Sequence, residues 1–190
     1  MKIIEGSLAG TIINYKEQKG TRVTSEKVRK AVFDVLKGLV DFEGIKTADP
    51  FCGSGMYGIE CLSRGVNVVW FLDEDKKVIK ILRRNLSQLK VESYPPASPK
   101  LSFGGRGKVE SKKFENFIKT CNDKFDLIFA DPPYYQFDFE KLNDIYKILN
   151  PNGIFVLEQS KRGGTKKLNG LKLFLEKKYG DTKVLFFRKK

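Results

Sequence analysis

Histidine is absent from this 190-residue chain. The side chain that most often acts as a general base is therefore missing, along with a common zinc ligand. Cysteine occurs at only three positions, 52, 61 and 121, with no Cys-x-x-Cys pair. That excludes a disulfide framework and a thiolate metal cage. Three idle thiols in a reducing cytosol, and no metal site, are the expectation. No apolar run approaches the ~20 residues that a membrane-spanning helix needs. The opening Met1-Lys2-Ile3-Ile4-Glu5-Gly6 lacks the apolar region of a secretory signal, so a cytoplasmic chain that engages no membrane is expected. Acidic charge is scarce: 23 Asp and Glu face 36 Lys and Arg, a net charge of +13. A polyanionic partner would explain that imbalance.

The length suits one domain with a substantial core. Lys2–Ile4 and Thr11–Tyr15 read as a small hairpin around Gly6 and Gly10. Val28, Ala31, Val32, Val35, Leu36 and Leu39 recur at helical spacing, so 25–39 reads as an amphipathic helix that Thr24 or Ser25 caps. Strands and helices then alternate: strand 45–49, helix 56–64, strand 66–72, helix 75–90, a strand near 108–111, helix 114–120, strand 125–130, helix 138–149 and strand 153–158. Gly65 reads as a helix stop. Leu171–Tyr179, Gly180-Asp181 and Thr182–Arg188 form a terminal hairpin. Such alternation predicts a wound α/β domain with a parallel sheet, and the hairpin makes its last strand antiparallel. The expected organisation is an N-terminal hairpin and helix over 1–40 and a main domain over 41–190. The stretch 93–107 reads as a mobile loop.

Asp131-Pro132-Pro133-Tyr134 follows the apolar run Phe125–Ala130. Two prolines cannot continue a strand's hydrogen-bond ladder, and they hold carbonyls stiffly in place. A carboxylate, fixed carbonyls and an aromatic ring thus gather at a strand end. The set suits a planar ring with an exocyclic amine: Asp131 and the Pro132 carbonyl accept its two hydrogens, and Tyr134 stacks on it. Tyr135 or Phe137 could add to the stack, with core packing as the alternative for Phe137. A proline-rich turn that merely ends a strand is the plain alternative for the whole motif.

Upstream, Phe51-Cys52-Gly53-Ser54-Gly55-Met56-Tyr57-Gly58 links a strand to a helix. Its Gly-x-Gly-x-x-Gly spacing fits a nucleotide-binding turn, where glycine lets the backbone approach a ligand. Asp73 ends the next strand, placed to accept hydrogen bonds from ribose hydroxyls. Asp49, just before the turn, would repel a pyrophosphate but could hold a methionine ammonium. That favours S-adenosylmethionine over NAD.

The charge is unevenly spread. Residues 1–75 carry a net −1, 76–119 a net +9, 120–160 a net −4 and 161–190 a net +9. A polyanion held on basic flanks, with one base delivered to an acidic centre, fits this pattern. A lysine-rich surface kept for solubility or heat tolerance is the alternative. Glutamate does not keep pace with lysine, which favours the polyanion.

Four segments in order carry a more specific resemblance. Arg22-Val23-Thr24-Ser25-Glu26-Lys27-Val28-Arg29-Lys30-Ala31-Val32-Phe33 resembles the Arg-Pro-Thr-x-Asp-Arg-Val-Arg-Glu-Ala-Leu-Phe signature of the RsmD-type small-subunit ribosomal RNA guanine-N2 methyltransferases. Asp49–Gly55 and Glu60–Gly65 resemble that family's cofactor loop and following helix, and Tyr179–Leu185 its closing hairpin. The similarity runs from Lys2 to Lys189. Val23 departs from the family's proline, and Ala9-Gly10-Thr11 stands where a basic Arg-Gly-Arg element is usual. Residues 94–107 look inserted, and no acid or amide that would read an adenine amine is evident after them; Lys112 and Lys113 stand there.

The resemblance implies a Rossmann-like class I methyltransferase: a mostly parallel seven-stranded sheet with an antiparallel last strand, plus the N-terminal hairpin and helix. It implies methyl transfer from S-adenosyl-L-methionine to guanine N2 of small-subunit ribosomal RNA. Asp131, Pro132, Pro133 and Tyr134 would form the catalytic loop. Thr24, Asp49, Phe51, Gly53, Ser54, Gly55 and Asp73 would bind the cofactor. The expected partner is ribosomal RNA within a small-subunit assembly particle, and the enzyme would act as a monomer. Adenine N6 or cytosine N4 as the acceptor, and a non-catalytic RNA-binding module with this fold, remain alternatives. An NAD-dependent dehydrogenase is more distant, because no proton donor stands beside a hydride site.

Overall fold

The computed structural model of the protein describes residues 1–15, 25–93, 105–133, 137–164 and 167–190. Among the described residues, eight strands form one sheet: β1 (Lys46–Asp49), β2 (Val68–Asp73), β3 (Glu92–Ser93), β4 (Arg106–Ser111), β5 (Phe125–Ala130), β6 (Leu149–Ser160), β7 (Leu171–Tyr179) and β8 (Thr182–Lys189). Their order is β3-β4-β2-β1-β5-β6-β8-β7. All pairs through β6 are parallel, and β8 runs antiparallel to both β6 and β7. The expected seven strands are present, with the two-residue β3 added at one edge.

The central strands are nearly continuous apolar runs because both faces are covered. Helices α1 (Glu26–Leu36), α2 (Met56–Ser63) and α3 (Lys76–Gln88) lie on one face, with Val32, Phe33, Ile59 and Leu82 packed on Phe71, Leu127, Phe129 and Val156. The other face carries α4 (Phe114–Thr120) and a 3-10 helix, Phe139–Lys147, over Trp70, Leu72, Ile128 and Phe155. Ser25 caps α1, its hydroxyl accepting the Val28 N–H at 3.2 Å. Gly65 ends α2 with φ +99°. Val78, Ile79, Leu82 and Leu86 of α3 are buried, while Arg83 and Arg84 are exposed.

Four details differ from expectation. The segment 138–149 forms a 3-10 helix over Phe139–Lys147, not an α-helix. Its buried residues Leu142 and Ile145, with Ile148 just beyond its end, recur every three positions, the 3-10 period. Strand β6 begins at Leu149, not 153, because Asn150–Gly153 form an irregularity in the ladder: Phe125 pairs with Leu149 and Leu127 with Ile154. Asp126 stabilises it, accepting from the Asn150 amide and the Lys46 N–H. Strand β4 starts at Arg106, so the loop read over 93–107 is shorter; residues 94–104 lie outside the described residues. Among the described residues the N-terminal hairpin carries one bridge, Lys2 to Ile12.

The N-terminal segment is tied to the main body by buried charge. Glu60 on α2 accepts from the Ile4 N–H at 2.8 Å and from Arg29 Nε at 3.2 Å, and its other oxygen pairs with Arg64. Arg29 also donates to the Lys2 carbonyl at 2.6 Å. Gly6 has φ +89°, and a Cβ there would lie 1.8 Å from the Ser63 carbonyl oxygen. The chain thus passes too close to α2 for any side chain at that position.

Candidate active site

Four adjacent parallel strands carry carboxylates at their carboxyl ends. Asp73 ends β2 and Asp49 ends β1. Asp131 follows β5, and Glu158 lies in β6 one step beyond the Ala130–Leu157 pair. Side chains alternate along a strand. Asp73 therefore shares the face of Val69 and Phe71, and Glu158 that of Ile154 and Val156, the face covered by α1, α2 and α3.

The loop between β1 and α2 is built from turns that need glycine. Gly53 has φ +48° and Gly55 φ +77°, left-handed conformations that strain other residues. A Cβ on Gly55 would lie 2.4 Å from Leu82, and one on Gly58 would lie 2.2 Å from the Phe71 ring. These two glycines let α2 sit close against α3 and β2. Among the described residues, a Cβ on Gly53 would meet only the Phe51 carbonyl, at 4.0 Å. The Cys52 N–H donates to the Leu72 carbonyl at 2.9 Å, tying the loop to β2.

Asp73 has a structural task that the sequence did not reveal. Its Oδ2 accepts the Gly53 N–H at 3.0 Å and its Oδ1 accepts the Asp75 N–H at 2.9 Å. One carboxylate thus holds the glycine turn and the start of α3 together. Burial raises its pKa, those two hydrogen bonds oppose the shift, and the charges of Asp75 and Glu74 add to it. Beside it lies a hollow of about 400 Å³ lined by Glu74, Asp75, Ser111, Lys112, Lys113 and Asn116.

Asp49 is 3% exposed, and among the described residues its Oδ2 has no hydrogen-bond partner. Burial pushes its pKa up to about 7; the Gly58 N–H opposes the shift and the charge of Asp73 adds to it. An ionised carboxylate without a cation is costly to bury. The orphaned oxygen therefore fits a ligand that brings a positive group, such as the ammonium of S-adenosylmethionine.

The acidic row has a fourth member that the sequence reading missed. Glu158 is 2% exposed and accepts from the Tyr57 hydroxyl at 2.9 Å. The Tyr57 ring stacks on Phe129 with centroids 4.6 Å apart and planes 12° apart. Burial pushes the Tyr57 hydroxyl well above its ordinary pKa, and the charges of Glu158, Asp131 and Asp49 push it further. Tyr57 therefore stands among three carboxylates. The signal was available: Glu158 closes the apolar run Ile154–Leu157 as Asp73 and Asp131 close theirs.

The structure brings Asp49, Gly53, Ser54, Gly55, Asp73, Asp131, Pro132 and Pro133 to the carboxyl edge of the sheet. Asp131 is half-buried, Pro132 buried and Pro133 exposed. Phe51 packs with Phe114 at 5.1 Å and Phe137 at 5.0 Å. Phe137 in turn meets Phe139, so the two rings belong to an aromatic cluster on the α4 side. Thr24, Tyr134 and Tyr135 lie outside the described residues.

The family model described as conserved hypothetical protein 95 matches residues 1–188. The chain belongs to the RsmD-type family. YlbH of Bacillus subtilis, provisionally named an rRNA methyltransferase, is 30% identical to this RsmD-type chain over 194 residues, covering 100% of each. Ribosomal RNA small subunit methyltransferase D of Buchnera aphidicola is 28% identical over 163 residues, covering 84% of this chain and 78% of the relative. The solved structure of yhhF from Escherichia coli, provisionally named a methyltransferase, superposes with a TM-score of 0.83 at 22% identity, covering 100% of this chain and 97% of that one. With its sheet order, this RsmD-type chain has the Rossmann-like class I methyltransferase fold.

Proposed function

We propose that the chain transfers a methyl group from S-adenosylmethionine to the exocyclic N2 amine of a guanine in small-subunit ribosomal RNA. The observation that carries this reading is the acidic row. Asp49, with its orphaned oxygen, lies on the strand next to the one that delivers Asp131 and Pro132. One position suits a cationic cofactor group, and its neighbour suits an amine that carries hydrogens to be accepted.

Asp49 would hold the methionine ammonium and Asp73 the ribose hydroxyls, with the Gly53–Gly55 backbone, Ser54, Phe51 and Thr24 completing the cofactor's surroundings. S-adenosylmethionine, when bound, supplies an electrophilic methyl carbon on a sulfonium. The remaining work falls to positioning and electrostatics. Asp131 and the Pro132 carbonyl accept the two hydrogens of the guanine amine. Its nitrogen lone pair is delocalised into the ring and must be drawn out as the nitrogen becomes tetrahedral and gains positive charge. The Asp131 carboxylate stabilises that charge more in the transition state than in the ground state. Without histidine, Asp131 or water takes the released proton. Pro133 stiffens the loop, and Tyr134 stacks on the base, which must first be unstacked from the RNA.

In this reading residues 1–40 form an extension on a catalytic domain of 41–190. The enzyme acts as a monomer in the cytoplasm on RNA within an assembling small subunit. The deciding experiment incubates the protein with labelled S-adenosylmethionine and small-subunit RNA, naked or in particles, and identifies the labelled nucleoside. N2-methylguanosine is expected. Labelled N6-methyladenosine would move the substrate to adenine, and no labelled nucleoside would remove the reading.

A further inference from the structure

The chain leaves β6 at Ser160 and turns through Lys161-Arg162-Gly163-Gly164, all four exposed. The turn is firmly built. The Gly163 N–H donates to the Ser160 carbonyl at 3.0 Å, and the Arg162 N–H donates to the Ser160 hydroxyl at 3.3 Å. The Lys161 N–H donates to the Asp181 carbonyl at 2.8 Å, tying the turn to the β7–β8 hairpin. From below, Lys183 donates to the Gly163 carbonyl at 2.8 Å and Gln159 donates to the Gly164 carbonyl at 3.1 Å. Both supports are buried: Lys183 is 4% exposed and Gln159 2%. Burying a lysine is expensive unless its head group is satisfied. Here that ammonium serves to hold a glycine turn in one shape. The turn presents the Lys161 and Arg162 side chains to solvent.

Its place relative to the acidic row gives this construction a purpose. Ala130 pairs with Leu157, so Asp131 lies one residue and Lys161 four residues beyond that pair. At about 3.3 Å per residue, the turn stands on the order of 10 Å past Asp131, one strand over. That is the scale separating a base's exocyclic amine from its own nucleotide's phosphates. The turn also lies on the β6 side of Asp131, whereas Asp49 and Asp73 lie on the β1 and β2 side. Carboxylates at the centre repel phosphate and attract amine hydrogens; a cationic rim does the reverse. A nucleotide between them is oriented base inward and phosphate outward.

We propose that the Ser160–Gly164 turn is a phosphodiester clamp, in which Lys161 and Arg162 hold the backbone of the RNA nucleotide whose base is delivered to Asp131. The identity of that base rests on the function proposed above; the clamp itself does not. The substrate strand then crosses the sheet edge on the β6 and β8 side. Lys112 and Lys113, on the β2 and β4 side, line the hollow beside Asp73 instead.

The test is RNA affinity measured across a salt series with a short single-stranded RNA carrying one guanine. It compares wild type, Lys161→Ala/Arg162→Ala, and a control with the same charge removed at the opposite edge of the sheet, Lys124→Ala/Lys147→Ala. The turn variant should bind RNA roughly tenfold more weakly at moderate salt. Its log–log salt slope should be shallower by about 1.4, from about 0.7 per single-strand phosphate contact. The control should match wild type, and S-adenosylmethionine affinity should be the same in all three. Replacing the two RNA linkages that flank the guanosine with uncharged methylphosphonates should reproduce the loss in wild type and add nothing in the turn variant. An unchanged slope in the turn variant, or an equal loss in the control, would overturn the clamp. A shifted slope without N2-methylguanosine among the products would leave the clamp standing and remove the guanine reading. N2-methylguanosine with an unshifted slope would do the opposite.

Discussion

In the proposed reading, Asp49 concentrates the chemistry of the cofactor side in one residue. Its folded-state pKa is raised from 3.8 to about 7, mainly by burial. An acid raised in this way keeps its proton longer in the folded chain than in the unfolded one. Ligand-free stability is therefore lost as pH climbs from about 4 to about 7. Asp49→Asn should match wild type near pH 4 and exceed it above pH 7, by at most on the order of 4 kcal/mol in urea unfolding. Cofactor binding should show the opposite preference. A bound ammonium favours ionised Asp49, so S-adenosylmethionine affinity should rise about tenfold per pH unit up to about 7 and fall again above about 8, where the free ligand's ammonium loses its proton. Calorimetry in buffers of different ionisation enthalpy should detect a proton released at pH 6 and, because the free ligand's amine is then largely neutral, a proton taken up at pH 9. Equal proton release at both would take Asp49 away from the ammonium. Asp131 calls for a kinetic test, because its proposed task is in the methyl-transfer step. Asp131→Ala should lower the single-turnover rate by roughly 10²–10³, the effect of losing one preorganised transition-state contact. Cofactor and RNA affinity should hold. Full activity in that variant would remove the Asp131–Tyr134 loop from catalysis.

Among the elements, α2 does the most positioning, and its buried charges are where stability is most exposed to mutation. Glu60 is 0% exposed and Arg29 1%. Removing one partner of such a pair leaves the other as an uncompensated buried charge. Glu60→Ala should therefore destabilise the fold by about 3–5 kcal/mol and loosen the N-terminal segment, since Ile4 loses its acceptor. The exposed pair Lys30–Asp34 on α1 provides the contrast. Lys30→Ala should leave the urea midpoint essentially where it is in wild type. These elements also show what could be read from the chain alone. The strand-to-helix alternation, the Gly65 stop and the final hairpin are local signals, and each came through the sequence clearly. So did the placement of Asp49, Asp73 and Asp131, because an acid after an apolar run marks a strand end. The 3-10 helix was misread although its three-residue spacing was visible, since Leu142, Ile145 and Leu149 also fit a helical stripe. The long-range partnerships could not be read. That Glu60 would meet Arg29, that Tyr57 would meet Glu158, and that Lys183 would be buried under a turn all depend on which strands become neighbours.

At the scale of the whole molecule, the charge is sorted by position as well as biased in total. The net charge is +13, yet the carboxyl edge of the sheet has acids at its centre. That arrangement separates two kinds of binding by their response to salt. Contacts between exposed lysines and phosphates displace counterions, so RNA affinity should fall linearly on a log–log plot against salt, by about 0.7 per single-strand phosphate neutralised. A buried contact such as Asp49 with an ammonium is screened far less. Raising salt from about 0.05 to about 0.2 M should therefore weaken RNA binding by one or more orders of magnitude, given several phosphate contacts. Over the same range S-adenosylmethionine affinity should change by less than about twofold. Parallel titrations of the wild-type protein with RNA and with cofactor provide the measurement. A flat RNA response would return the lysines to a role in solubility. An equally steep cofactor response would mean that its charged group sits in solvent, and that the orphaned oxygen of Asp49 is not where it binds.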